Sequence, residues 1–124
     1  MLRLWIAAGA FVLATTPALA DDDIMANTYG NTVVSIGGMA EVHTHYRADH
    51  TFDMTATAVM FNKTYQGSWA LDGKGNLCRT FVGETPPGTA NPLCTPIAAH
   101  KIGETWTASA NGSTRTVTLK PGIQ

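Results

Sequence analysis

The chain has little charge, only two cysteines and no long apolar run beyond its first twenty residues. Charged residues make up 14% of it and the formal net charge is −1, with no basic stripe, so nucleic acid is excluded as a partner. The lack of a second hydrophobic segment excludes a membrane-spanning helix. Gly-x-Ser-x-Gly, His-Glu-x-x-His and glycine-rich phosphate loops are all missing, which removes the usual hydrolase, metalloprotease and nucleotide-binding motifs. A protein without enzymatic activity is the expectation. From Val33 onward no helical stripe runs longer than two turns, so a helical domain is excluded as well.

The N-terminus carries an export signal. Arg3 supplies a basic start, Leu4 to Leu13 is apolar, and Thr15-Thr16-Pro17 breaks the run. Ala18-Leu19-Ala20 is the small-x-small pattern that precedes signal cleavage. The apolar stretch falls short of the roughly 20 residues a bilayer span needs. Residues 1–20 are therefore expected to be removed, leaving 21–124 as one domain, periplasmic or secreted and monomeric. Asp21 at the cleavage site, in place of Cys, argues against a lipid anchor.

An exported address suits Cys78 and Cys94, which can pair in only one way if both are oxidised. The loop so closed is worth about 3 kcal/mol in the chain-entropy account. A shared metal site for the two thiols and His100 lacks the Cys-x-x-Cys spacing that such sites favour.

Turn signals recur every eight to twelve residues among stretches rich in Thr, Val, Tyr, Phe and Trp, the pattern of an antiparallel all-β barrel or closed sandwich. About seven strands are expected, mostly up-and-down. Asp21 to Tyr29 reads as an extended lead-in, and Asn31 to Ile36 and Met39 to Arg47 flank a Gly37-Gly38 turn, with their register open. Phe52, Met54, Ala56, Ala58 and Met60 share one face of the third strand. A loop Asp49-His50-Thr51, with His50 left-handed, would set Tyr46 opposite Met54, Val42 opposite Ala58 and Arg47 opposite Asp53. Asn62-Lys63 turns into a strand whose Tyr65, Gly67, Trp69 and Leu71 share a face. Leu77 to Val82 follows, then a proline-rich loop from Glu84 to Leu93 and a helical turn over Pro96 to His100. Asn111-Gly112 suits a type I′ hairpin pairing Trp106 with Val117 and Ala108 with Arg115, backed by a ladder of hydroxyls.

Gly67-x-Trp69, the pair Cys78 and Cys94, and the late Gly103-Glu104-Thr105-Trp106 together resemble small exported bacterial β domains whose function is uncharacterised. Gly-x-Trp also resembles the calycin barrels, lipocalins among them, although there it lies on the first strand. Bacterial metalloprotease-inhibitor barrels are similar in placing a Cys pair after Gly-x-Trp. Their inhibitory N-terminal trunk does not carry over, because about 45 residues of the exported chain precede Gly67 here. These resemblances imply a barrel rather than a function.

Three candidate sites follow. Tyr46, Tyr65, Trp69 and Trp106 can line an apolar ligand pocket, although the same spacing suits a filled core. His43 and His45, two apart on a strand, point to one side and can share Zn²⁺ or Cu²⁺ with Asp53, His50 or His100, or stand as a solvated polar face. No other cofactor is expected. The Glu84 to Pro92 loop can carry recognition. The function expected is therefore an exported binding or interaction domain for an unknown small molecule or protein. An inhibitor of a protease or other hydrolase is the first alternative, and a histidine-based metal module the second.

Overall fold

A computed structural model describes residues 24–110 and 113–124. The leader and the Asn111-Gly112 turn lie outside the described residues. The fold is all-β: a 3-10 turn, Ala26–Thr28, followed by strands β1 (Thr32–Gly37), β2 (Ala40–Tyr46), β3 (Thr51–Ala58), β4 (Phe61–Leu71), β5 (Asn76–Val82), β6 (Leu93–Pro96), β7 (Thr105–Ala110) and β8 (Ser113–Lys120). They form one antiparallel sheet ordered β6-β5-β4-β3-β2-β1-β8-β7, curled into a half-barrel. Cys78 and Cys94 are directly opposite on β5 and β6 and are bonded.

The eighth strand is β6, hidden from sequence reading among three prolines. It ends at Pro96 and continues as irregular chain, so the helical turn expected over Pro96 to His100 does not form. The lead-in differs too: rather than extending, its described part makes the 3-10 turn and buries Met25 completely.

Inner and outer faces follow from strand alternation. Tyr46, Phe52, Tyr65, Trp69, Leu77 and Phe81 turn inward and pack with Met25 as the main core. Trp69 is 2% exposed. Its indole N–H donates to the Arg47 carbonyl at 3.0 Å, and its backbone N–H donates to His50 O at 2.8 Å. The opposite edge of the sheet keeps the expected pairing of Trp106 with Val117 and Ala108 with Arg115, and Thr105 and Thr118 join their hydroxyls at 2.9 Å.

Two hairpins are corrected. Between β2 and β3 the loop is Ala48-Asp49-His50, so Tyr46 pairs with Phe52, Val42 with Ala56 and His45 with Asp53. His50 does take the left-handed conformation, φ 71°, at the end of this three-residue loop. The shift is by two residues, so every side chain keeps its expected face. Between β3 and β4 the turn is Val59-Met60 rather than Asn62-Lys63, and Met60 leaves the strand altogether. The register of the first hairpin, open in the sequence, is Val33 to Thr44 and Gly37 to Ala40, around Gly38-Met39.

Candidate functional site

The aromatic candidates divide. Tyr46, Tyr65 and Trp69 are buried in the main core, where Tyr46 meets Trp69 edge-on and Tyr65 meets Phe81 edge-on. His50 covers Trp69 with ring centroids 4.0 Å apart, and Tyr29 packs alongside. These side chains pack against one another. Trp106 lies apart from this cluster, half-buried on β7 and stacked on His100 at 3.4 Å.

The histidine candidates share the outer face of β2, as strand geometry requires, but turn to different carboxylates. His43 Nε2 lies 2.5 Å from Glu41 Oε2, and His45 Nδ1 lies 2.9 Å from Asp53 Oδ2. Arg47 also bonds Asp53. Of the other ligands considered, His50 is stacked on Trp69, while His100 bonds Glu104 at 2.9 Å and covers Trp106. Among the described residues no group of three or more His, Cys, Asp or Glu side chains is placed to hold a metal ion. The far nitrogen of His45, Nε2, is buried and has no hydrogen-bond partner among the described residues. An open depression of about 590 Å³ borders the Arg47–Asp53 pair, lined also by Thr51, Gln66, Ser68 and Val82.

The two ends of the half-barrel differ sharply. The end holding the β2–β3 and β4–β5 turns is closed by Met25, Tyr29, His50 and Ile97 against the aromatic core. Its loops are pinned by polar bonds. Asp72 accepts from Lys74 N at 2.7 Å and Asn76 N at 3.0 Å, and the Asn76 side chain lowers its pKa further.

The other end is built from small inner residues, Ala40, Val42, Ala56 and Ala58, all half-buried. Arg115 reaches across it, donating to the carbonyls of Ser35, Gly37 and Ala40 at 3.0 to 3.2 Å and to the Ser35 hydroxyl. Burial pushes its pKa down, yet the guanidinium remains charged at neutral pH. Its stem explains Gly37, where a Cβ would lie 2.8 Å from Arg115 Cγ.

At this end the hairpin tips are apolar. Met39 is 83% exposed, Val59 82% and Met60 100%, with Ile36 and Phe61 about half exposed beside them. The β1–β2 and β3–β4 tips are two strand spacings apart, about 10 Å. The tips therefore form one ridge. Met60 sits at φ 60°, a left-handed conformation that disfavours every residue except glycine and, less strongly, asparagine and aspartate. The proline loop begins next to this ridge, braced by a Lys63–Glu84 ion pair. Its far end is clipped by Asn91, whose side-chain amide exchanges bonds of 2.9 and 3.1 Å with the backbone of Phe81.

Sequence reading missed the ridge because it ran the third strand through to Met60. The signal was present: Ala58-Val59-Met60-Phe61 is four apolar residues in succession, which breaks a period-two pattern where the chain must turn. No protein-family model, curated protein or solved structure matches the chain.

Proposed function

We propose that this protein is an exported, non-enzymatic interaction domain that recognises another protein through the open end of its half-barrel. The observation that carries this reading is the ridge of Met39, Val59, Met60 and Phe61, apolar side chains held in water on two hairpin tips. Contiguous exposed apolar surface rimmed by polar residues marks interaction sites. Methionine suits such surfaces because its unbranched side chain adapts to irregular partners. Export is supported by the leader in the sequence and by the disulfide, a bond that persists in oxidising compartments.

The rim gives no reason to expect an anionic lipid surface. Glu41 and Glu84 accompany Lys63 there, and Arg115 is turned inward onto carbonyls. Inhibition of a hydrolase is the second reading. It is favoured by the braced proline loop, whose fixed ends lower the entropy lost on docking.

Site-specific photo-crosslinking in the producing cell tests the proposal. A benzophenone amino acid at position 39 or 60 should give one discrete protein adduct, and the same group at Lys74, on the closed end, should give none. Equal labelling from both ends, or none from either, would overturn it.

A further inference from the structure

The half-barrel has two edges, and they are treated differently. β6 is four residues long, ends in Pro96, follows Pro92 and is bonded to β5 through Cys94. Proline, short length and a covalent tie are the devices by which proteins protect an edge strand. β7, Thr-Trp-Thr-Ala-Ser-Ala, has no proline and no charge.

Its backbone direction can be read from one bond. Leu119 N donates to Glu104 O at 3.0 Å, so Glu104 and Leu119 are a hydrogen-bonded pair. Such pairs alternate along an antiparallel ladder, so Trp106, Ala108 and Ala110 bond to β8 while Thr105, Thr107 and Ser109 direct their N–H and C=O groups outward. Among the described residues no other strand meets that row.

We propose that the partner of this edge is a second copy of the same strand, joined antiparallel about a two-fold axis through Thr107. The sequence is complementary to itself in that register. Thr107 meets its own copy, and Thr105 meets the second copy's Ser109, each pair exchanging both backbone bonds. On the outer face this extends the hydroxyl ladder already formed by Thr105 and Thr118. On the inner face each Trp106 lies opposite a small Ala108, so large meets small twice. No like charges face each other, because the strand has none. Trp106, half-buried in the single chain, gains cover. An isologous interface of this kind closes after two copies. The dimer is independent of the apolar ridge and departs from the monomer expected from sequence.

The test exploits the outward N–H of Thr107. Thr107→Pro removes it without touching the ladder to β8, as proline is tolerated on edge strands. Sedimentation of the exported protein should show a dimer, and Thr107→Pro a monomer with an unchanged far-ultraviolet spectrum. Thr107→Lys places two ammonium groups across the axis and should also give a monomer, and this variant decides the matter if the proline form does not fold. An equimolar mixture of Thr107→Lys and Thr107→Glu should restore the dimer. A wild-type protein that stays monomeric up to its solubility limit would overturn the proposal. So would a dimer that survives Thr107→Lys.

Discussion

Gly67 lies so close to Thr80 that a Cβ built on it would stand 1.9 Å from the Thr80 carbonyl oxygen. Opposing backbone cannot retreat as a flexible side chain can, and β5 is tied to β6 by the disulfide. Gly67→Ala should therefore destabilise the fold by about 2 kcal/mol or more, as overpacking of a fixed site does. Gly67 is not among the left-handed glycines, so this cost is one of contact and not of backbone conformation. Chemical denaturation of Gly67→Ala measures it, and an unchanged stability would show that contact with Thr80 is unimportant.

His50 offers a separable test of conformation against contact. It is left-handed, and its ring lies 4.0 Å from Trp69 with the planes 17° apart. Glycine relieves the backbone but removes the ring, whereas alanine removes the ring and keeps the strain. His50→Ala should be less stable than His50→Gly by about 1 kcal/mol, the usual penalty for a non-glycine residue in this region. A reversed order in thermal melts would mean the turn is not under strain.

Much of this architecture is legible in the sequence because period two survives local errors. The β2–β3 register moved by two residues, yet Val42, Tyr46 and Phe52 stayed inside and His43, His45 and Asp53 outside. What fails to show is whatever depends on two distant segments meeting. The inner aromatics are readable as a set, but not that Met25 and Ile97 pack against them from outside the strands. His43 and His45 are readable as sharing a face, but not that Glu41 and Asp53 engage each separately. Phe81 and Asn91 are readable as strand and loop, but not the amide clip between them, which depends on tertiary position.

The disulfide holds the short edge strand. Opening it frees a loop of sequence separation 16, for which the chain-entropy account gives about 3 kcal/mol. Reduction, or Cys78→Ala with Cys94→Ala, should lower the melting temperature and first loosen β6, seen as faster amide exchange at Thr95 than at Thr44. An unchanged melting curve in reductant would show that the bond contributes no stability.

Acid should loosen the pinned turns. Asp49 is held below its ordinary 3.8 first by the Thr51 hydroxyl and then by the Thr51 backbone N–H. Asp72 is held below 3.8 by the Asn76 amide and the Lys74 N–H. Glu104 is held below 4.5 by Lys101 N–H and His100. A carboxyl whose folded pKa is depressed adds stability above its unfolded value and loses it as pH falls through the folded one. The melting temperature should therefore fall as pH drops from about 5 to below 3, and Asp72→Ala should flatten part of that fall. Identical pH profiles for the two proteins would remove Asp72 from the account.

Met60 sets stability against recognition in a single residue. Its left-handed backbone favours glycine, while its fully exposed side chain contributes nothing to the core of the free protein. Met60→Gly should therefore raise stability, with strain relief of about 1 kcal/mol partly offset by the greater freedom of glycine in the unfolded chain. The same change removes the most exposed part of the apolar ridge, so the adduct formed from a crosslinker at Met39 should weaken or vanish. The proposed use of this side chain outside the fold would account for a bulky apolar residue in a conformation that penalises it. If Met60→Gly stabilises the protein and leaves the Met39 adduct at full strength, the ridge is not the recognition surface. Loss of stability in Met60→Gly would instead mean that the methionine supports its own hairpin, and the case for an external partner would fall with it.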